Sequence, residues 1–197
     1  MEITEIKLIV EGLLLAAGEP LTLERMRQLF SEETSPTLPE LRETIASLRE
    51  DYAGRAIELK ELASGYCFQV KASYGTWMSR LWEEKPARFS RALLETLALV
   101  AYRQPITRAE IEEVRGVSVS SNIMKSLLER EWIQVVGHKE VPGRPALFAT
   151  TKQFLDHFNL KSLEELPALL PVEQKIAEQL DFALEKQEKN EESEKNL

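Results

Sequence analysis

Cysteine is all but missing from this chain of 197 residues: Cys67 is the only one, so no disulfide can form within it. A lone thiol fits a reducing compartment. Cys67 alternates with Tyr66 and Phe68 as on a strand, with no base suggested beside it, and reads as an inert thiol. Histidine is almost as scarce. Neither His138 nor His157 has a cysteine or carboxylate at metal-ligand spacing, so surface or packing roles are expected for both. Long apolar runs are missing too. Leu13 to Ala17 is far too short to cross a bilayer, and the acidic start of MEITEIKLIVEGLLLAAGE is unlike a secretory signal. There is no glycine-rich phosphate loop, no GxSxG elbow and no HExxH helix. Glu112 and Glu113 are adjacent, so on a helix they point apart and read as solvated surface rather than an acid–base pair. The expectation is a cytoplasmic protein that is not an enzyme and takes no cofactor or metal.

Positive charge is also short. The formal net charge is −8 and the pI about 5.1. Residues 1–85 carry 10 Lys and Arg against 15 Asp and Glu, whereas residues 86–171 carry 11 against 10. The tail, 172–197, carries 4 against 8. Nucleic-acid affinity rests largely on neutralising phosphates, so only the near-neutral middle could favour it.

What is present is pattern. Ile3, Ile6, Val10, Leu13 and Ala17 recur at helical spacing and predict a helix over about 3–17, stopped by Gly18-Glu19-Pro20. Thr22 reads as the N-cap of a short helix striped by Leu23, Met26, Leu29 and Phe30. Thr37 and Glu40 form a capping box before Leu38, Leu41, Ile45, Leu48 and Tyr52. Ile57, Leu59, the turn at Ala63-Ser64-Gly65, and the alternating Tyr66, Phe68, Val70 predict a hairpin with one buried face. Three helices followed by a hairpin is the winged-helix order. An aromatic helix over about 74–84 then carries Trp77, Leu81 and Trp82, and Glu83 to Pro86 reads as a linker.

The pattern restarts at Ser90, which can cap a helix through LLETLALVAY closed by Gln104-Pro105. Thr107 and Glu110 form a second capping box, with Ile111 and Val114 following and Gly116 as the stop. Residues 119–131 predict a third helix striped by Ile123, Leu127 and Leu128. Strands over 133–136 and 146–150 flank the turn Val141-Pro142-Gly143-Arg144-Pro145, the second wing. A shift of 85 residues lays Pro20, Leu21, Thr22 and Met26 over Pro105, Ile106, Thr107 and Ile111, which argues for repeated architecture. Thr150 and Gln153 then cap a helix with Phe154, Leu155 and Phe158, and Ser162 and Glu165 cap one more turn. The fold expected is mainly α with small β-hairpins (α+β): two tandem winged-helix domains, 1–85 and 86–171, and an acidic tail, 172–197, partly helical or disordered.

Such a fold admits two kinds of partner. A winged-helix protein can place its third helix in the major groove, which would use Ser118, Ser120, Ser121, Asn122, Lys125 and Arg130, with Arg144 at the wing tip. Glu129 and Glu131 dilute those cations. The other partner is a protein. Leu93 to Tyr102 is apolar on nearly all sides, which suits an ordinary core helix or a binding surface. Trp77 and Trp82 suit domain packing or a dimer contact.

AYRQPITRAEIEEVRGV at 101–117, GRPALFATT at 143–151 and FNLKSLEELP at 158–167 resemble the second half of the segregation and condensation protein B (ScpB) family, within a stretch of about 80 residues. The first half, EGLLLAAGEPLT with its later helices and hairpin, fits the family's order more loosely. The resemblance implies two winged helices and a homodimer formed largely through the N-terminal domains. It implies a subunit of the bacterial SMC condensin-like complex, which compacts and separates chromosomes during cell division. There the dimer grips the central region of the kleisin, segregation and condensation protein A, whose ends bind the SMC ATPase. ATP hydrolysis belongs to SMC, DNA is touched at most weakly or indirectly, and no membrane is involved. The place implied is the cytoplasm, at the nucleoid. On this resemblance Tyr102, Arg103, Gln104 and Arg108, with Arg144 on the wing, are the candidate kleisin contacts, and Trp77, Leu81 and Trp82 the candidate dimer contacts. The structural alternative is that Pro105 and Thr107 shape the turn while Arg103 or Arg108 pairs with Glu110 or Glu112. The alternative function is a winged-helix DNA-binding transcriptional regulator.

Overall fold

Helix α1, Ile3–Ala17, ends where Gly18 turns to φ +65°, a left-handed value that glycine reaches without strain. The computed structural model describes residues 3–81 and 89–169, so Trp82, the linker 83–86 and the tail 172–197 lie outside the described residues. Ile6, Val10 and Leu14 point inward from α1 at steps of four, and Leu13 is only half-buried. The buried stripe therefore runs through Leu14 rather than Leu13. Thr22 caps α2, Leu23–Gln28, by accepting from the Arg25 amide at 3.1 Å. This helix is shorter than its apolar spacing suggested, and Leu29 closes it on the exposed side. The capping box at Thr37 and Glu40 forms, with Pro39 in the first turn of α3, Leu38–Asp51. Proline has no N–H to waste there. Leu41, Ile45, Leu48 and Tyr52 join Met26 and Leu59 in one apolar core.

Strands β1, Ile57–Leu62, and β2, Gly65–Val70, pair antiparallel across a two-residue turn. Leu21 bridges to Tyr66 through a pair of 2.9 Å backbone hydrogen bonds. This third, one-residue strand lies against Gly65, where a Cβ would sit 2.4 Å from the Leu21 carbonyl. Only glycine fits. The predicted aromatic helix is broken: a 3-10 turn at Ala72–Tyr74, one α turn, α4, at Gly75–Met78, and another 3-10 turn at Ser79–Leu81. None of the described residues there, 72–81, is buried, so no packed face holds them as a regular helix.

The second half repeats this order. Ser90 accepts from the Leu93 amide and opens α5, Arg91–Arg103. Ile106–Thr107 form β3, a strand that the apolar spacing did not announce. It pairs with β5, Ala146–Thr150, which pairs with β4, Ile133–His138, giving the order β3-β5-β4. Between them α6, Arg108–Arg115, opens on the Thr107–Glu110 capping box and stops at left-handed Gly116. Helix α7, Ser121–Glu129, starts one residue after its cap, Ser120. Its inner face is Met124 and Leu127 rather than Ile123 and Leu128. Helix α8, Lys152–His157, is capped by Thr151, one residue beyond the expected Thr150. Ser162 precedes a 3-10 turn at Leu163–Glu165.

Trp132 is buried where Phe89, His157 and Phe158 meet edge-on or tilted, with ring centres 4.5 to 5.5 Å from its own. The Arg130 guanidinium lies 4.9 Å above Phe89 and 5.4 Å above Trp132. The chain divides into compact units at Glu165/Leu166, so both halves belong to one unit.

Candidate protein-binding surfaces

The end of α5 and the start of α6 are pinned from several sides. Gln104 accepts from the Thr150 amide at 2.7 Å and hydroxyl at 3.0 Å, and donates to the Ala101 carbonyl at 3.2 Å. It straps the turn before β3 to the end of β5. Arg108 donates to the Val119 carbonyl at 2.5 Å and to Glu112 at 3.1 Å, while Glu112 accepts the Val119 amide at 2.8 Å. The three close the loop between α6 and α7 around a fully buried Val119. The Val119 amide, followed by Arg108, holds the Glu112 carboxyl below its ordinary value. Arg108 and Glu112 therefore form the internal pair that spacing had offered as the structural alternative.

Glu110 does two jobs. It accepts from the Thr107 amide and hydroxyl, both at 2.8 Å, and it meets Lys139 at 2.6 Å. Lys139 first, then the Thr107 amide and hydroxyl, draw its carboxyl down to about 2. The Lys139 amide in turn donates to the Pro145 carbonyl, so the base of the second hairpin is tied to α6. Beyond that tie Arg144 is exposed in a turn closed by its amide on Val141, with φ +40°.

Tyr102 is half-buried and Arg103 exposed at the end of α5. Leu94, 42% exposed, and the exposed Ala98 precede Tyr102 at steps of four, so the three share one face. Helix α5 is thus a core helix on one side, through Leu93, Leu97 and Val100, and an apolar surface on the other. The structure brings Tyr102, Arg103 and this strip together, gives Gln104 and Arg108 structural bonds, and sets Arg144 apart on the hairpin.

In the first half Trp77 is 60% and Leu81 71% exposed, and Tyr74 stacks 6.3 Å from Trp77. A second apolar surface escaped the sequence reading: Leu8, Ile9 and Leu15 are exposed along α1. The signal was there, because α1 carries more apolar residues than one buried stripe needs. His157 packs in the aromatic cluster, and burial, then Arg130, holds its imidazole below its ordinary value. Burial likewise raises the Cys67 thiol. No group of three or more His, Cys, Asp or Glu among the described residues could hold a metal ion, and no helix there is long and apolar enough to cross a membrane.

Two pinned helical halves with uncovered apolar faces have the make of a protein-binding subunit of a larger assembly. Residues 8–169 match the family model of the segregation and condensation complex subunit ScpB. The chain belongs to that family. It is 58% identical over 186 residues to a segregation and condensation protein B homolog of Coxiella burnetii, covering 91% of this chain and 89% of that one. It is 42% identical over 172 residues to segregation and condensation protein B of Bacillus subtilis, covering 86% and 85%. Among solved structures, ScpB from Mycobacterium tuberculosis is 31% identical, covers 81% of this chain and 98% of its own, and superposes with a TM-score of 0.38.

Proposed function

We propose that this subunit is a non-catalytic adaptor of an SMC–kleisin complex, built from two winged-helix domains. It dimerises through residues 1–85 and grips the central region of the kleisin, segregation and condensation protein A, through residues 86–171. It reaches the SMC ATPase only through the kleisin, and it works at the nucleoid in chromosome condensation and segregation.

The observation that carries the grip is the exposed face of α5, with Leu94, Ala98 and Tyr102 in line and Arg103 at its end. An amphipathic kleisin helix can lie on such a strip, apolar against apolar. Arg144, free of the fold beyond the tied hairpin base, suits a rim contact. The uncovered α1 residues Leu8 and Leu15, with Trp77 and Leu81, suit self-association.

The transcriptional-regulator reading has less to draw on. On α7 Lys125 sits 3.5 Å from Glu129, and Arg130 is folded over Phe89 and Trp132. The helix that would enter a groove has its cations already engaged. Co-purification with a kleisin middle fragment tests the proposal. Leu94→Glu combined with Arg103→Glu should weaken that complex by about tenfold or more, the loss of one good interfacial anchor. Failure of the wild-type chain to bind the fragment, together with a shift of short duplex DNA at physiological salt, would sink it.

A further inference from the structure

The stretch FNLKSLEELP has no part in the proposed kleisin grip. In the structure its first residues meet the first hairpin. Amides at a two-residue hairpin turn usually face water, but these do not. The Ala63 amide donates to the Leu160 carbonyl at 3.2 Å, and the Ser64 amide donates to Asp156 Oδ1 at 3.1 Å, across 92 positions of sequence. Lys161 Nζ lies 3.0 Å from Glu61 Oε1, and the Tyr66 hydroxyl donates to the same oxygen at 3.1 Å. Burial would raise the Glu61 carboxyl, yet the bonds from Lys161 and Tyr66 outweigh it and leave it lowered.

The gripping segment is itself preset. Asn159 takes a left-handed φ of +59°, which returns the Leu160 amide to the Leu155 carbonyl at 2.8 Å. The Lys161 amide donates to Glu165 at 2.7 Å. Neither side has to be ordered by the other, so little conformational entropy opposes the contact.

We infer that residues 156–161 are a clasp on the β1–β2 turn that holds the two halves of the free chain as one body. The exposed ion pair adds little by itself. The directional amide bonds set the register. Beside the clasp the halves line an open cleft of about 410 Å³, with Leu14, Leu62 and Phe68 on one wall and Gln153, Asp156 and His157 on the other. Its width exists only while the clasp is closed.

Amide exchange followed by NMR on the full chain tests this. The Ala63 and Ser64 amides should exchange at least about tenfold slower than the Gly143 amide of the second hairpin, after correction for sequence. Asp156→Ala should free the Ser64 amide while Lys60, in β1 opposite Cys67, stays protected, and Asp156→Asn, which keeps an acceptor oxygen, should retain most of the protection. Backbone relaxation should show one tumbling time for both halves, and two in the Asp156→Ala, Lys161→Glu double variant. Fast exchange at Ala63 and Ser64 with Lys60 still protected would overturn the inference. So would Ser64 protection that survives Asp156→Ala, or a single tumbling time that survives the double variant.

Discussion

The two hairpins of the repeat start from the same helix junction and end in opposite states. In the first half Leu21 bridges to Tyr66; 85 residues on, Ile106 pairs with Phe148. Thr22 and Thr107 cap the next helix in each. The residue three places after the cap differs. Arg25 offers only its amide to Thr22, whereas Glu110 completes a capping box and holds Lys139. The first hairpin has a two-residue turn tied to α8; the second is tied at its base and leaves Arg144 exposed. One copy of the repeat is committed inside the chain, and the other has a tip free for a partner. A shared framework sets neither outcome; the turn and one position after the cap do.

Substitutions can probe this contrast. The greatest loss belongs to Gly65→Ala. Its Cβ would meet the Leu21 carbonyl at 2.4 Å, at φ +134°. Chemical denaturation should show a loss of about 3 kcal/mol or more, in the range of strained backbone positions. Gly143→Ala, at φ +86° with nothing within 4 Å, should cost about 1 kcal/mol, the left-handed penalty alone. Equal losses would mean that the close approach of Leu21 is not what makes Gly65 obligatory.

Next come the caps. Thr107→Ala removes a buried hydroxyl from a complete capping box and should cost about 2 kcal/mol, against about 0.5–1 kcal/mol for Thr22→Ala at an exposed cap. Thermal unfolding of the two variants gives the ranking directly.

Acid should separate the two junctions more mildly. The Glu110 carboxyl stands at about 2 in the folded chain against an ordinary 4.5, so the unfolded chain takes up its proton first. Its stabilisation is complete above about 4.5 and drains away as the pH falls toward 2. Glu110→Gln should lower stability at pH 6 and make its fall below pH 4.5 shallower. A parallel fall in both proteins would mean that Lys139 and Thr107 do not hold the carboxylate.

Least disturbing to the fold is Leu8→Ser with Leu15→Ser. Both residues are more than half exposed, so stability should change by no more than about 0.5 kcal/mol per site. Light scattering should nevertheless show the double variant as a monomer and the parent chain as a dimer. A dimer that persists would move self-association away from α1.

Local chemistry fixed much of this fold in advance. Thr37 with Glu40, Ser90, and Thr107 with Glu110 act within one helical turn, so three residues suffice to place a helix start. Faces were harder. On α7 the register is set by Ser120 as cap, and a shift of one residue moves the inner side from Ile123 to Met124. Strand β3 is two residues long and exists only because β5 lies beside it. The candidate contacts divided the same way. Tyr102 and Arg103 lie beside an exposed strip, but Gln104 and Arg108 are bonded to Thr150 and Val119, partners that sequence spacing alone does not bring near. The contact of Ser64 with Asp156 is more distant still, and no periodic pattern encodes it.

The placement of the indoles gives the molecule two unlike optical probes. Trp132 is sealed in the second half between Phe89, His157 and Phe158, while Trp77 stands 60% exposed in the first. In a Trp82→Phe background, Trp132 should emit toward the blue and Trp77 toward the red. A subunit that covers Trp77 would shift only the red component, and loosening of the second-half core only the blue. Assembly and unfolding would then be separable by colour in a single cuvette, with no label attached.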